Sequence, residues 1–513
     1  MASLDWTSGY VADIGYTYGY YPELNPLRVK LAFSNIGLIY PEYGTACELG
    51  FGQGLSANIH AAASVTEWHG TDFNPAQAGF ARELAIASGS NARLYDDSFA
   101  EFFERNDLPD FDYIGLHGIW SWISDENRSL IVDFIHKKLK VGGVLYISYN
   151  TMPGWAAFAP MRHLMTEHAD VIGAEGHGIV KRIDGAIAFA DKLLATNPLY
   201  AKANPIITER VTKLKDQNRH YQAHEYFNQD WHPMHFATMA EWLTPAKLDY
   251  ACSANYIDHI DAVNLTAEQQ NFLNEIPDAM FRQSVRDFMV NQQFRKDYWV
   301  KGARKLSPLE QAEALRQQKV ILVNNRKDVS LKVTGALGDA TMSDTIYNPI
   351  LDILADHKPK TIAQLEQAVA DKGIVFAHLM QAIVVLSGVG HLGAVQDDAV
   401  IGKSKKYTDK LNSFLITKAR SSGDISFLAS PVIGGGVVVG RFQQLFILAL
   451  SQGKKKPEEQ AEVVWQILSA QGQKILKDGK TLETPEENLA ELIAQAKVFA
   501  EKQLPILKAL QVV

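Results

Sequence analysis

Over residues 1–150, apolar runs of strand length alternate with amphipathic stretches of helical length. Thr45-Ala-Cys-Glu-Leu49, Glu67-Trp-His-Gly-Thr-Asp72, a weaker run over 91–95, Phe111-Asp-Tyr-Ile-Gly-Leu-His117 and the stretch from Leu139 to Tyr149 predict five strands. Leu55–Ser64, Pro75–Ser88 and Asn127–Leu139 predict intervening helices, with Pro75 at a favoured first-turn position. Strand–helix alternation at this spacing demands parallel βαβ units, hence an α/β sheet covered by helices on both faces. From Trp155 to about residue 235 the pattern is mostly helical and reads as an insertion. Leu248–Ala254 and Lys296–Gly302 are strand-like again and are expected to complete the sheet late in sequence, extending the first domain over 1–305.

Ser307-Pro308 opens a boundary. Residues 306–340 read as a small middle segment with a short helix and strands at 320–323 and 330–333. Residues 341–402 predict a winged-helix-like module: Ile350, Leu351 and Leu354 share one helix face, Thr361 caps a second helix, and Val375–Leu386 forms a third. Gly388, Gly390 and Gly393 stand where a β wing is expected, and Lys403–Lys406 reads as a basic linker. Residues 403–513 predict a mainly helical C-terminal domain. Its most apolar stretch, Phe427–Leu450, contains Gly434–Gly436, Arg441, Gln443 and Gln444. A charge and two amides near the middle argue against a membrane span and for a strand, a glycine turn and a core helix.

Composition narrows the function classes. The 513 residues carry 50 basic and 58 acidic side chains, a formal net charge of −8, which disfavours nucleic acid as a partner. Two cysteines, Cys47 and Cys252, exclude a disulfide framework and fit a reducing cytosol. The start, Met1-Ala-Ser-Leu-Asp-Trp6, lacks the basic and apolar regions of a signal peptide, so a cytoplasmic location is expected.

The informative segment is Glu48-Leu-Gly50-Phe-Gly52-Gln-Gly54, between a strand and a helix. Glycines there let the backbone turn tightly and approach a ligand, and the next helix offers free N–H groups. Asp72 ends the following strand, where a carboxylate reaches ribose hydroxyls. The dinucleotide fingerprint G-x-G-x-x-G is not met, because Leu55 occupies its third glycine position. The E-x-G-x-G-x-G form instead resembles motif I of class I S-adenosylmethionine (SAM) methyltransferases, and SAM presents a sulfonium, an amine and a carboxylate rather than a phosphate.

Further segments carry the resemblance. Asp96-Asp97-Ser98 follows the third strand, Phe73 adjoins Asp72, and Leu139-Lys-Val-Gly-Gly resembles the L-x-P-G-G approach to the fifth strand with Val141 for proline. Tyr18-Gly-Tyr-Tyr-Pro22, His117-Gly-Ile-Trp-Ser-Trp122, Ser148–Trp155, His224-Glu-Tyr226, Phe281–Phe288, Phe294–Gly302, the Asn412 region and Leu428-Ala-Ser-Pro431 resemble a bacterial methyltransferase family carrying a methyltransferase regulatory domain. Departures from its pattern are Phe51 after the first glycine and Asn25 before Pro26.

The resemblance implies a Rossmann-like class I methyltransferase sheet with a helical insertion, followed by winged-helix-like and mainly helical C-terminal domains. It also implies SAM as cofactor, a homodimer through the insertion, and a protein substrate, the family including lysine methyltransferases of outer-membrane proteins. It assigns Tyr18, Tyr21, Glu48, Gly50, Gly52, Gly54, Asp72, Phe73, Asp97, Ser98 and His117 to the cofactor. A methyl acceptor belongs beyond the fourth and fifth strands, making His117, Trp120, Trp122, Tyr149, Asn150 and Trp155 the candidates. Each tryptophan reads equally well as core packing, His117 as a structural loop bond, and Tyr18 and Tyr21 as a lid or as surface packing.

Other features read as structural. The histidines at 163, 168, 224, 232 and 235 lack zinc spacing, so no metal is expected. Asp125-Glu-Asn127 reads as a helix cap, and His224-Glu-Tyr226 more readily as internal packing than as a cleft border. Val375–Leu386 has no Arg or Lys, against a DNA recognition role. Protein lysine methylation leads the functional readings. A small-molecule or cell-surface glycan acceptor is the first rival, and a non-catalytic scaffold the second.

Overall fold

A computed structural model describes residues 15, 17–173 and 178–513, so Met1–Trp6 lies outside the described residues. Helix α1 (Pro26–Asn35) precedes β1 (Thr45–Leu49), α2 (Leu55–Ala63), β2 (Glu67–Thr71), α3 (Pro75–Ser88), β3 (Ala92–Tyr95), α4 (Phe99–Phe103), β4 (Phe111–Leu116), α5 (Asp125–Lys138) and β5 (Leu139–Asn150). The insertion follows as α6 (Ala159–Val171), α7 (Gly178–Ala195), α8 (Leu199–Ala203), α9 (Ile206–Leu214) and α10 (Arg219–Tyr226). Then come α11 (Phe236–Leu243), β6 (Leu248–Ser253) and β7 (Phe294–Lys301).

Seven strands form one sheet in the order β3-β2-β1-β4-β5-β7-β6. The first five are parallel, and β7 runs antiparallel to both β5 and β6. The late strands therefore complete the sheet, as the pattern predicts. Alternation with period two builds two cores. Ala46, Tyr113, Val144, Tyr146, Tyr298 and Val300 pack on α1 and on residues of the 315–392 region. Cys47, Leu49, Ile114, Leu116, Leu145, Ile147 and Trp299 pack on α5 and α11. Both cysteines are buried and free.

The insertion has its own apolar cluster, centred on Phe158, Met161, Ile183, Ile207, Val211 and Ala223. It leaves and rejoins the sheet at one place, where Thr151 bridges Met234.

Beyond residue 305 the structure redraws two expectations. Strand β8 (Lys319–Leu322), read as part of a separate middle segment, is the central strand of a sheet with Lys360–Thr361 and Leu392–Val395. A single strand, Leu392–Val395, follows the third helix where a wing is expected. The Lys403–Lys406 stretch is helical rather than a linker, inside the helix Asp398–Lys418. Ile401, Ser404, Thr408, Leu411 and Leu415 recur at helical spacing and are buried, leaving the lysines outside.

The C-terminal core includes Leu55, Ile59 and Ala62 of α2 and Leu84 of α3. Gln396 Nε2 donates to Ala63 O at 2.7 Å and fixes the same contact. The apolar Phe427–Leu450 stretch is a hairpin, Phe427–Ser430 with Gly435–Val438, followed by the helix Arg441–Ser451. Among the described residues, no helix is long and apolar enough to cross a membrane.

Candidate active site

The chain turns outward from β1 in both directions, to β2 and β3 on one side and to β4 and β5 on the other. Such a switch point opens a crevice at the carboxyl ends of the strands. A cavity of about 480 Å³ lies there. That volume is in the range of small-molecule sites.

The glycine loop forms its floor. Gly50, Gly52 and Gly54 have φ of +70°, +57° and +68°, backbone that favours glycine. Space adds a second constraint at Gly50, where a Cβ would stand 2.7 Å from Ile119 Cγ2. Gly54 serves the fold instead: a Cβ there would strike Ala81, so its role is the close approach of α2 and α3.

Two buried carboxyls stand beside this loop. Asp72 Oδ2 accepts from Gly52 N–H at 2.8 Å, and Oδ1 accepts from Asn74 N–H at 3.1 Å. Burial pushes its pKa up to about 7. Glu48 is buried with its Oε2 unpartnered. Burial, and then the neighbouring Asp72, push Glu48 up to about 8. An orphan carboxyl oxygen in a cavity wall is a place for a donor, best a cationic one.

Phe73 lines the cavity next to Asp72. Asp97 and Ser98 follow β3 and line it too, but each has a local partner. Asp97 Oδ2 pairs with Arg105 Nη1 at 3.1 Å. Ser98 caps α4 in a reciprocal box with Glu101. After β4, His117 Nδ1 and Tyr146 Oη are 2.7 Å apart, and the His117 ring stacks on Tyr21 with centroids 3.7 Å apart. Burial lowers the His117 pKa to about 3, so its ring is neutral at physiological pH. Gly118 N–H donates to Ser148 Oγ at 2.8 Å and holds the loop after β4 against β5.

The structure brings Tyr21, Glu48, Gly50, Gly52, Asp72, Phe73, Asp97, Ser98 and His117 to the cavity wall, together with Trp122. It does not bring the rest. Trp120 is fully buried, with Nε1 donating to Met234 Sδ at 3.4 Å. Tyr149 donates to Asp297 Oδ2 at 2.9 Å inside the protein, where Arg295 also pairs with Asp297 and Asp287. Asn150 is buried, its N–H donating to Ser121 Oγ at 2.8 Å. Trp155 packs in the insertion core beneath the Arg210 guanidinium, 4.1 Å from its ring. Tyr18 lies edge-on to Phe80, outside the cavity wall. Strand parity explains Tyr149: Tyr146 lies on the α1 face of β5, and a residue three positions on points to the other face.

On the opposite wall, His224 and Glu225 border the cavity, although the sequence reads His224-Glu-Tyr226 more readily as internal packing. Ser124, not Asp125-Glu-Asn127, caps α5, accepting from Asn127 N–H at 3.3 Å. Glu126 and Asn127 are thereby left facing the cavity. His224 and Glu225 of α10, and Asp230 beyond it, close the same wall. Burial pushes Glu225 up to about 7. The one available signal is topological: the insertion must return beside the end of β5. Among the described residues, the wall carries six carboxyls — Glu48, Asp72, Asp97, Glu126, Glu225 and Asp230 — and no Lys or Arg.

The predicted methyltransferase regulatory domain family matches residues 218–301, which contain His224-Glu-Tyr226, Phe281–Phe288 and Phe294–Lys301. The protein sll1526 of Synechocystis is 41% identical over 512 residues, covering 99% of both chains. RP789 of Rickettsia prowazekii is 25% identical over 286 residues, 54% of this chain and 49% of that one. Among solved structures, PKMT2 from Rickettsia typhi in complex with AdoHcy aligns over 95% of this chain and 98% of its own. The TM-score is 0.68 and the identity 17%. The fold is therefore a Rossmann-like methyltransferase fold in which residues 218–301 match the predicted regulatory domain. Within that class, the chain belongs to the family of the Synechocystis protein sll1526.

Proposed function

We propose that this protein is a SAM-dependent methyltransferase whose acceptor is a lysine side chain of a protein. The observation that carries the reading is a cavity wall that, among the described residues, has six carboxyls and no Lys or Arg. A dinucleotide would set its pyrophosphate against those carboxyls with no Lys or Arg among the described wall residues to receive it. A sulfonium and an amine suit them.

The residues present fit SAM. Glu48 offers an unpartnered buried oxygen to an amine. Gly50 and Gly52 bring backbone to the cavity, Asp72 lines it on the side proposed for ribose hydroxyls, and Phe73 adjoins Asp72 on the side proposed for a base. PKMT2, of the same fold, has been solved with AdoHcy, the demethylated form of SAM. When bound, SAM supplies a methyl group on positively charged sulfur, already activated for in-line displacement. The protein then has to align the acceptor and exclude water.

Tyr21 stacked on neutral His117 walls off the end of β4. Trp122 and Tyr21 line the cavity, and an aromatic face turned to a cationic amine or its methylated product is worth roughly 0.5–2 kcal/mol. Glu126, Glu225 and Asp230 favour a cation on the acceptor side. An ammonium must lose a proton before its nitrogen attacks, and Glu225, titrating at about 7, is suited to take it at neutral pH. A neutral glycan hydroxyl gains less from this charge than a cationic lysine does.

The test is methyl transfer from labelled SAM into a fractionated lysate depleted of this enzyme. Label in a discrete protein band, mapped to lysine, is the expected result. Label confined to small molecules or glycan would overturn the lysine assignment and leave the methyltransferase reading intact.

A further inference from the structure

We infer that the C-terminal hairpin positions the N-terminal strap that walls the cavity, with Tyr20 as the positioning residue. Cofactor affinity then depends on the far end of the chain. The inference rests on the SAM reading for the identity of the ligand.

Two adjacent tyrosines face opposite ways along the strap. Tyr21 faces the cavity, stacked on His117, and its N–H donates to Ser56 Oγ at 2.9 Å. Tyr20 faces the hairpin, its ring 5.2 Å from that of Phe427. Its hydroxyl lies 3.2 Å from His60 Nε2.

The hairpin is shaped for this ring. A Cβ on Gly435 would stand 2.5 Å from Tyr20 Oη, and one on Gly436 would stand 3.0 Å from Cδ2, Cε2 and Cζ. These two glycines are explained by the ring they admit rather than by their own turn, since neither has positive φ. A second tie runs parallel: Asn25 Nδ2 donates to Ile433 O at 3.3 Å, across 408 positions of sequence. The hairpin itself is anchored in the C-terminal core that covers α2. A ring held at Tyr20 therefore holds Tyr21, one residue on, against His117.

The test approaches the contact from both sides in the full chain. Gly436→Val fills the ring's space, Tyr20→Ala removes the ring, and Tyr20→Phe is the conservative control. Hydrogen exchange over 17–21 and over Arg441–Ser451 is measured together with AdoHcy affinity by calorimetry. The first two variants are expected to speed exchange over 17–21, to leave Arg441–Ser451 protected, and to weaken AdoHcy about tenfold. That loss matches a strap docked about one tenth of the time. Tyr20→Phe is expected to stay within about twofold of wild type. A released strap with unchanged affinity overturns the inference, as does a strap that stays protected in both variants. Lost protection over Arg441–Ser451 in both variants overturns it too, because strap and hairpin would then unfold as one unit. A wild-type chain that binds no AdoHcy retires the SAM reading and, with it, the strap's role toward that ligand.

Discussion

Binding at the glycine loop should expel protons, and the number is countable. Glu48 and Asp72 are buried side by side and are pushed up to about 8 and about 7. At about pH 6.5 the empty pair is held mostly in its protonated form. A ligand whose amine meets Glu48 and whose ribose hydroxyls meet Asp72 favours the ionised forms, so each carboxyl that ionises releases a proton. For every proton released, affinity rises about tenfold per pH unit, or about 1.4 kcal/mol. AdoHcy should therefore release about one proton or more near pH 6.5, and bind roughly tenfold tighter at pH 7 than at pH 6. The curve should flatten above about 8, where Glu48 is already ionised. Calorimetry in two buffers of different ionisation enthalpy counts the protons directly.

Stability supplies an independent sign. Glu48 has a folded pKa above its ordinary 4.5. Its contribution to the ligand-free fold is complete below about 4.5 and is lost as pH rises through about 8. The melting-temperature gain on adding AdoHcy should accordingly grow between those limits. Glu48→Gln should reduce proton release and flatten the affinity profile. A wild-type affinity that stays level from about pH 6 to 8, with no proton released, would refute the placement of Glu48 at the ligand's cation.

Three other substitutions separate the site from its surroundings. Asp72→Ala removes the acceptor of two loop N–H groups as well as the ribose contact, and should weaken AdoHcy by about a hundredfold, roughly 2–3 kcal/mol; unchanged calorimetric affinity would exclude Asp72 from the site. Tyr149→Phe should leave AdoHcy affinity within about twofold and lower unfolding free energy by about 1–2 kcal/mol, since buried Asp297 loses a donor. Affinity lost with stability retained would return Tyr149 to the active site. Glu225→Gln should cut methyl transfer about tenfold or more at unchanged AdoHcy affinity. It should also remove a rise in turnover through about pH 7, where the wild-type carboxylate forms. Full turnover in that variant would mean that the acceptor does not enter past α10.

The sequence carries the cofactor side of the cavity and little of the acceptor side, for a physical reason. Glu48, Gly50, Gly52, Asp72 and Asp97 sit at the ends of consecutive parallel strands. In such a sheet, strand ends converge on one crevice whatever the loop details, so locating the strands locates the site. Trp120, Tyr149, Asn150 and Trp155 lie as near in sequence to strand ends, yet face inward. Their direction depends on pleat parity and on packing partners such as Met234, Asp297 and Arg210, which sequence proximity does not reveal. The Lys403–Lys406 stretch misleads through composition, because its buried partners Ile401, Ser404 and Thr408 include two polar residues.

On the proposed reading, the acceptor wall is shared between α5 and the insertion, and the insertion's share has a chemical consequence. Glu225 and Asp230 reach the cavity only because the insertion rejoins the sheet where Thr151 bridges Met234. On the inference above, the strap is held there in part by Tyr20, seated on the C-terminal hairpin. A cofactor floor fixed by one sheet thus receives one wall from an inserted helix and another from a segment held by the chain's last domain. Charge on the inserted wall can change without disturbing Gly50, Asp72 or the strand ends. Acceptor selectivity should therefore track residues 224–230, while cofactor affinity tracks the loop at 48–54 and the Tyr20–Gly436 contact. If exchanging the charges at Glu225 and Asp230 altered AdoHcy affinity as strongly as acceptor choice, this partition would fail.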